Sequence, residues 1–450
     1  MESKRKQIDL TTGSITRSIF VLAWPAVGTM FLQTAFSIAD AFWVGKLGAV
    51  SMAAVISSTF MIWIIFSLSS VISTGVVAMV SRFIGAKDKA SASYVSGQAI
   101  FFSILSSLAL SSVGILTAKQ VFLLMGTEPG VTQLGVVYLR ITYAGTIFFF
   151  LIDTIGALFR ASGDTKTPLR VAMLSISLNI ILDPILIFGW LGFPELGTAG
   201  AAIATFISQG LGTLLYFILL KRRSLLFEVK IQPKLDFSTI FRLIKIGIPT
   251  SISGILFCVV YLFINKITAL FGTEAIAALG IGNRMESVSY LTCFGLSIAA
   301  STLVGQNLGA KKPQRSEEAA WSTVRIAVFV TGFISLMFLL FPRHIASFFI
   351  SDPEVIRINI HYLRILALSQ MFMALEIVLE GCFAGAGDTL PPMIVSVPGS
   401  VIRIPLAYLL AFTLGAGVNG IWWAITLTTI AKGGIMVFWF KKGSWKKKNI

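Results

Sequence analysis

The sequence predicts an all-α polytopic membrane protein, with about twelve transmembrane helices in two six-helix lobes related by a pseudo-two-fold axis. Three observations carry that expectation. Apolar runs of bilayer-spanning length follow one another along nearly the whole chain, basic residues collect in alternate loops, and the first half matches the second at one constant offset.

Of the 450 residues, 56% are hydrophobic and 12% charged, and the mean hydropathy is +0.86. That composition cannot clothe a water-soluble surface, so the lipid bilayer is the expected solvent. Apolar runs of roughly 20 residues are long enough to cross a ~30 Å hydrocarbon core as helices. The runs lie at approximately 17–41, 50–78, 94–118, 131–157, 169–190, 197–220, 242–266, 274–302, 318–341, 355–381, 393–414 and 418–440. A lipid-exposed backbone must satisfy its own hydrogen bonds, which makes these runs helices.

The net charge of +16 does not indicate nucleic acid, because the basic residues stand in short loops and not on one amphipathic face. Their distribution sets an orientation. Lys4, Arg5 and Lys6 fall on the same side as Arg82, Lys87, Lys89, Arg160, Lys166, Lys221, Arg222, Arg223, Lys230 and Lys234. Lys311, Lys312, Arg315, Lys441, Lys442, Lys446, Lys447 and Lys448 join them, whereas the opposite loops carry chiefly Lys46, Lys119, Lys266 and Arg343. The positive-inside rule then expects both termini in the cytoplasm of a multi-pass inner-membrane protein. The first apolar run is too long for a cleavable signal peptide. Cys258, Cys293 and Cys382 lie in spans without paired spacing, so neither a disulfide framework nor a zinc site is expected.

The repeat has an offset of about 224 residues. Pro25 falls on Pro249, Gly48 on Gly272, and Gly85-Ala86-Lys87 on Gly309-Ala310-Lys311. Tyr138-Leu139-Arg140-Ile141 falls on Tyr362-Leu363-Arg364-Ile365, and Gly163-Asp164-Thr165 on Gly387-Asp388-Thr389. Six spans per half give both halves the same orientation. The expected organisation is an amino-terminal lobe over 1–220, a cytoplasmic linker over 221–241, and a carboxy-terminal lobe with a basic tail over 242–450. Two similar lobes around a cleft can rock between two states, which suits a transporter better than a channel, and no filter motif is present. Both lobes lie in one chain, so a monomer is expected to suffice. His344 and His361 are the only histidines and have no metal-binding spacing. Neither an enzyme nor a cofactor is expected.

Several segments resemble the multidrug and toxic compound extrusion (MATE) family over essentially the whole chain. They are Leu-Ala-Trp-Pro at 22–25, Ile-Gly-Ile-Pro at 246–249, Ala-Asp-Ala-Phe-Trp-Val-Gly at 39–45 and Leu-Asn-Ile-Ile-Leu-Asp-Pro at 178–184. The paired loops at 160–168 and 384–392 and Gly-Ala-Ala-Ile-Ala-Thr at 200–205 complete the set. One acid on span one and one on span five resembles the DinF-like branch. The resemblance implies V-shaped lobes and export of lipophilic, mostly cationic small molecules, driven by an inward proton or sodium gradient and without ATP hydrolysis. Flippases for lipid-linked sugars share the architecture and form the alternative.

Ionisable residues within spans are costly and therefore functional candidates. Asp40 ends span one, which Pro25 is expected to kink. Asn179 and Asp183, four apart, share a helical face on span five. With Thr205, these residues supply the hard oxygen ligands that a small cation prefers, sodium among them, and a pair of buried carboxylates also suits a proton. The family's amino-terminal-lobe cation site maps onto these four positions, although Phe36 and Gly156 stand where its more polar members often carry tyrosine and asparagine. Bland roles are open to each: a hydrated helix-end Asp40, a capping Asp183, and ordinary interhelical hydrogen bonds at Asn179 and Thr205.

At the repeat offset Asp40 meets Ile264, Asn179 meets Arg403 and Asp183 meets Ala407. The second half instead carries Glu286, Glu376 and Glu380, a rival carboxy-lobe site unless Arg403 neutralises one of them. Met30, Gln33, Phe36, Phe149 and Met173 are the expected cleft lining, since soft and aromatic surfaces repack around varied ligands. Asp153 joins them if its helix lines the cleft, placed to attract a cation or to pair with Arg140. The paired Gly-Asp-Thr motifs are expected to form turns and helix caps.

Overall fold

The computed structural model describes residues 9–222 and 225–450, and the described residues contain helices and no strand. Lys4, Arg5, Lys6, Arg223 and Ser224 lie outside them. Ten helices are long and apolar enough to span a bilayer, and two further pairs qualify when each bent pair is taken as one span. The twelve resulting spans are the twelve apolar runs, each helix end falling within about seven residues of its run.

The described chain packs into two units. Unit 1 is Gly28–Gly247, and unit 2 joins residues 9–27 to Ile248–Ile450. The repeat halves and the units are therefore not the same thing. Helix α1 (Ile15–Gly45) begins in unit 2 and ends in unit 1, and α8 (Phe237–Ala269) begins in unit 1 and ends in unit 2. Each helix changes unit two residues from its internal proline, Pro25 or Pro249.

Unit 1 holds α2 (Ala49–Gly85), α3 (Lys89–Leu124), α4 (Pro129–Ala144), α5 (Thr146–Ala161), α6 (Lys166–Phe188) and α7 (Thr198–Lys221). A small apolar core of Val44, Val55, Tyr138, Ile187, Ala201 and Ala202 ties α1, α2, α4, α6 and α7 together. The segment after α7 is a strap laid along α3. Gln98 donates to the Lys234 carbonyl and accepts from the Asp236 N–H, both at 2.8 Å. Gly97 has no Cβ, and one there would collide with the Lys230 carbonyl.

Unit 2 holds α9 (Thr273–Gly309), α10 (Pro313–Leu340), α11 (Pro342–Phe349), α12 (Pro353–Ala367), α13 (Gln370–Ala386), α14 (Leu390–Val401), α15 (Arg403–Tyr408) and α16 (Val418–Lys441). Here the residues before α1 form the strap: the carbonyls of Leu10, Thr11, Thr12 and Gly13 accept from Asn307, Lys312 and Arg315. The carboxy-terminal tail is anchored too. Trp445 is fully buried and stacked on Phe440, Lys446 pairs with Glu317, and Lys448 pairs with Asp388.

The repeat persists in the backbone. Lys87 and Lys311 both adopt left-handed φ, 62° and 58°, a conformation unfavourable for lysine. Gly48 and Gly272 match at φ 97° and 100°. The fourth span bends by 44° between α4 and α5, and the tenth by 55° between α12 and α13. Gly163 and Gly387 take positive φ at the start of the Gly-Asp-Thr turns, and Asp164 accepts from the Thr167 N–H at 2.9 Å, opening α6 as a cap would.

Candidate cation site

The site grows from the seam between α6 and α7. Gly200 lets the α7 backbone approach the Leu186 carbonyl, where a Cβ would collide. Along α6 the side chains of Ser175, Asn179 and Asp183 recur every four residues and so form one stripe. All three are buried, Asp183 completely. Pro184 follows directly and deprives the Ile180 carbonyl of its helical donor.

Asn179 is the hinge of the polar contacts. We assign its amide so that Nδ2 donates to Asp183 Oδ2 at 3.0 Å and Oδ1 accepts from the Thr205 N–H at 3.1 Å. The reverse orientation reaches only Thr205 Oγ1, at 3.3 Å. Asp40 on α1 and Asp183 lie within electrostatic reach of each other and of Tyr138 on α4. One oxygen of each aspartate, Oδ1, is buried with no hydrogen-bond partner among the described residues. A buried carboxylate oxygen left bare costs on the order of 1–3 kcal/mol, more if charged, and the cost disappears when a proton or a metal cation binds.

The structure therefore brings Asp40, Asp183, Asn179 and Thr205 to one place in unit 1. It adds three residues that the sequence reading did not single out. Tyr138 lies within electrostatic reach of both acids, and the buried hydroxyls of Ser175 and Ser208 have no hydrogen-bond partner among the described residues. The signals were available: Ser175 is the next residue of the 179/183 stripe, and Tyr138 is matched by Tyr362 in the repeat.

The expected cleft residues all belong to unit 1. Gln33 and Met173 are exposed, Met30 and Phe36 are half-buried on α1, and Phe149 packs edge-on against Phe66, which in turn meets Trp63. Asp153 does not pair with Arg140. It pairs with Arg160 at 3.3 Å and accepts from Ser69 Oγ at 2.9 Å, while Arg140 Nε donates to the Ile115 carbonyl. The reason is geometric: Arg160 lies two turns further along the same straight α5, whereas Arg140 lies on α4 beyond the bend.

In unit 2 two of the three glutamates, Glu376 and Glu286, have side-chain partners. Glu376 is paired with Lys432 at 2.8 Å and accepts from Ser396 at 3.2 Å. Glu286 accepts from the Tyr362 hydroxyl at 3.4 Å and lies within electrostatic reach of Arg403. Glu380 lies near Glu376 and Lys432. No group of three or more His, Cys, Asp or Glu with metal-binding geometry occurs among the described residues.

A family model described as MatE matches residues 25–185 and again 249–409, two copies separated by the repeat offset. A protein of Thermotoga maritima named probable multidrug resistance protein NorM is 29% identical over 97% of this chain and 94% of its own length. A protein of Shewanella oneidensis named FAD transporter is 28% identical over 94% of each chain. Among solved structures, one titled as the outward-facing conformation of a multidrug resistance MATE family transporter superposes with a TM-score of 0.92 at 23% identity, covering 100% of both chains.

Proposed function

We propose that this chain, which belongs to the MatE family, is a secondary exporter that carries lipophilic or cationic compounds outward in exchange for inward-moving protons or sodium ions. The family is one of membrane transporters and not of enzymes. The observation that carries the reading is the pair of carboxylates Asp40 and Asp183, each with one buried oxygen that has no hydrogen-bond partner among the described residues, with the Asn179 amide donating to Asp183. Such a pair is poised to take up a cation and to give it back. The names of the relatives favour drug export over the flippase reading.

In the mechanism we propose, a cation entering between Asp40 and Asp183 cancels buried negative charge and changes how α1 packs on α6. Pro25, which lacks a backbone donor, is the point where α1 yields. The cation shifts the balance of two states only by its difference in affinity for them, and a tenfold difference is worth ~1.4 kcal/mol. Both chain ends and the strap over 225–236 face the cytoplasm in this reading, which the distribution of basic residues supports.

The test is transport in proteoliposomes with imposed pH and sodium gradients applied separately. Wild type should export a fluorescent lipophilic cation under one of them. Asp40→Asn and Asp183→Asn should fold and lose gradient-driven export, and the double variant should be little worse than either because the acids act together. Normal export by Asp40→Asn would remove this site from the mechanism.

A further inference from the structure

The seam that binds the cation in unit 1 has a counterpart in unit 2, between α15 and α16, and its side chains have been exchanged in a consistent way. Tyr138 corresponds to Tyr362 and Thr205 to Thr429, both unchanged. The two aspartates are lost to Ile264 and Ala407, each fully buried. Two of the four neutral polar residues of the seam become cations: Asn179 becomes Arg403 and Ser208 becomes Lys432. Ser175 becomes Gly399, where a Cβ would press on the Lys432 side chain.

The contacts follow the same correspondence. Where Asn179 meets Thr205, Arg403 donates from Nη2 to Thr429 Oγ1 at 3.2 Å, and from Nε to Thr428 Oγ1 at 3.0 Å. Its guanidinium also lies 6.0 Å from the centre of the Tyr261 ring. Where Tyr138 lies within electrostatic reach of the aspartates, Tyr362 donates to Asn283 Oδ1 at 3.1 Å and to Glu286 at 3.4 Å. The counter-charges are new as well: Glu286 and Glu376 replace Ile62 and Ile152. Arg403 is 3% exposed and Lys432 5%. A buried lysine salt-bridged to a buried acid at 2.8 Å, and a buried arginine within electrostatic reach of a half-buried one, do not arise from solvating a helix face.

We propose that Arg403 is a tethered cation, held permanently in unit 2 where unit 1 holds its exchangeable cation, with Glu286 as its counter-charge. Lys432 and Glu376 repeat the arrangement one helical turn away. Unit 2 is thereby fixed in a cation-loaded condition, and ion exchange is confined to unit 1. Removing the guanidinium should uncover a second site for a small monovalent cation, lined by Glu286, Tyr362, Asn283 and Thr429.

The inference rests on the reading of Asp40 and Asp183 as the exchangeable site, and the test is run in the Asp183→Asn background so that the two can fail separately. Purified Asp183→Asn protein should show no stabilisation by sodium or protons. If it is stabilised as wild type is, the unit 1 reading fails and the analogy goes with it. Arg403→Ala in that background should unfold at a lower temperature and recover with guanidinium chloride at low, non-denaturing concentration, saturably, with choline chloride as the control. Arg403→Ala/Glu286→Gln should show no such recovery, and Arg403→Lys should need none. A folded Arg403→Ala protein indifferent to guanidinium, sodium and pH would overturn the proposal. Should Arg403→Ala fail to fold, the neutralised Arg403→Ala/Glu286→Gln pair decides: its recovery of folding supports Glu286 as the counter-charge, and its failure overturns that assignment.

Discussion

The Lys432–Glu376 pair allows a magnitude to be set before any measurement. Its atoms are 2.8 Å apart and the two side chains are 6% and 10% exposed, so water does not screen the interaction. Lys432→Met would leave the Glu376 carboxylate buried with only the Ser396 hydroxyl at 3.2 Å. Breaking one side of a buried pair costs about 3–5 kcal/mol, whereas replacing both sides by neutral groups is near neutral. The expected loss is thus roughly two to four powers of ten in the folded-to-unfolded ratio at ~1.4 kcal/mol each. Lys432→Met/Glu376→Gln should recover most of it. Steric-trap or detergent unfolding of wild type, both single variants and the double variant closes the cycle. A single-variant loss below about 1 kcal/mol, or a double variant as unstable as Lys432→Met, would refute the claim that these charges hold each other.

Other expectations follow from single contacts. Glu286→Gln, Glu376→Gln and Glu380→Gln together should leave substantial gradient-driven export if the protein inserts, because the proposed coupling site lies in unit 1; loss of export with retained folding and drug binding would move it to unit 2. Gly385→Val drives a side chain into the Ser301 carbonyl and should cost at least about 1–3 kcal/mol, read as a lower unfolding midpoint. Gln98→Ala removes both clamps on the strap and should hasten proteolysis within 225–236 while α3 stays protected. Hydrogen bonds from Thr239, Ser238 and Tyr94 hold the Asp236 carboxyl below the usual carboxylate range. Its contribution is therefore present above the ordinary carboxylate pKa and lost as pH falls, so acid should loosen the strap in wild type more than in Asp236→Asn. In a cysteine-free background, a cysteine at Gln232 should resist impermeant reagent in sealed cells while one at Glu128 reacts; labelling at 232 would reverse the orientation.

The spans were legible because a bilayer forces long apolar helices, while their ends run up to about seven residues past the expected runs, where polar residues continue the helix beyond the apolar stretch. The bends after Ala144 and Ala367 were not, since hydropathy averages across a break that changes direction without changing polarity. Nor was the exchange of helix starts, in which residues 9–27 pack with the second half and the strap with the first. That packing depends on contacts some 300 residues apart, such as Asn307 with Leu10. The acids were legible because charge is expensive in lipid. Tyr138 and Ser175 carried only the weak signals of the repeat and the stripe, and Ser208 none, because tyrosine and serine are ordinary in membrane helices. Lys432 stood inside an apolar run in full view, and only its pairing with Glu376 shows what it does.

The most direct test of the central claim counts ions. Proton uptake by purified protein, followed across neutral pH with and without sodium, should reveal at least one exchangeable cation per chain in wild type. Asp40→Asn/Asp183→Asn should lose that uptake, while Glu286→Gln/Glu376→Gln/Glu380→Gln should keep it. Unchanged uptake in the aspartate variant, with loss in the glutamate variant, would contradict the account and place the exchangeable cation in unit 2.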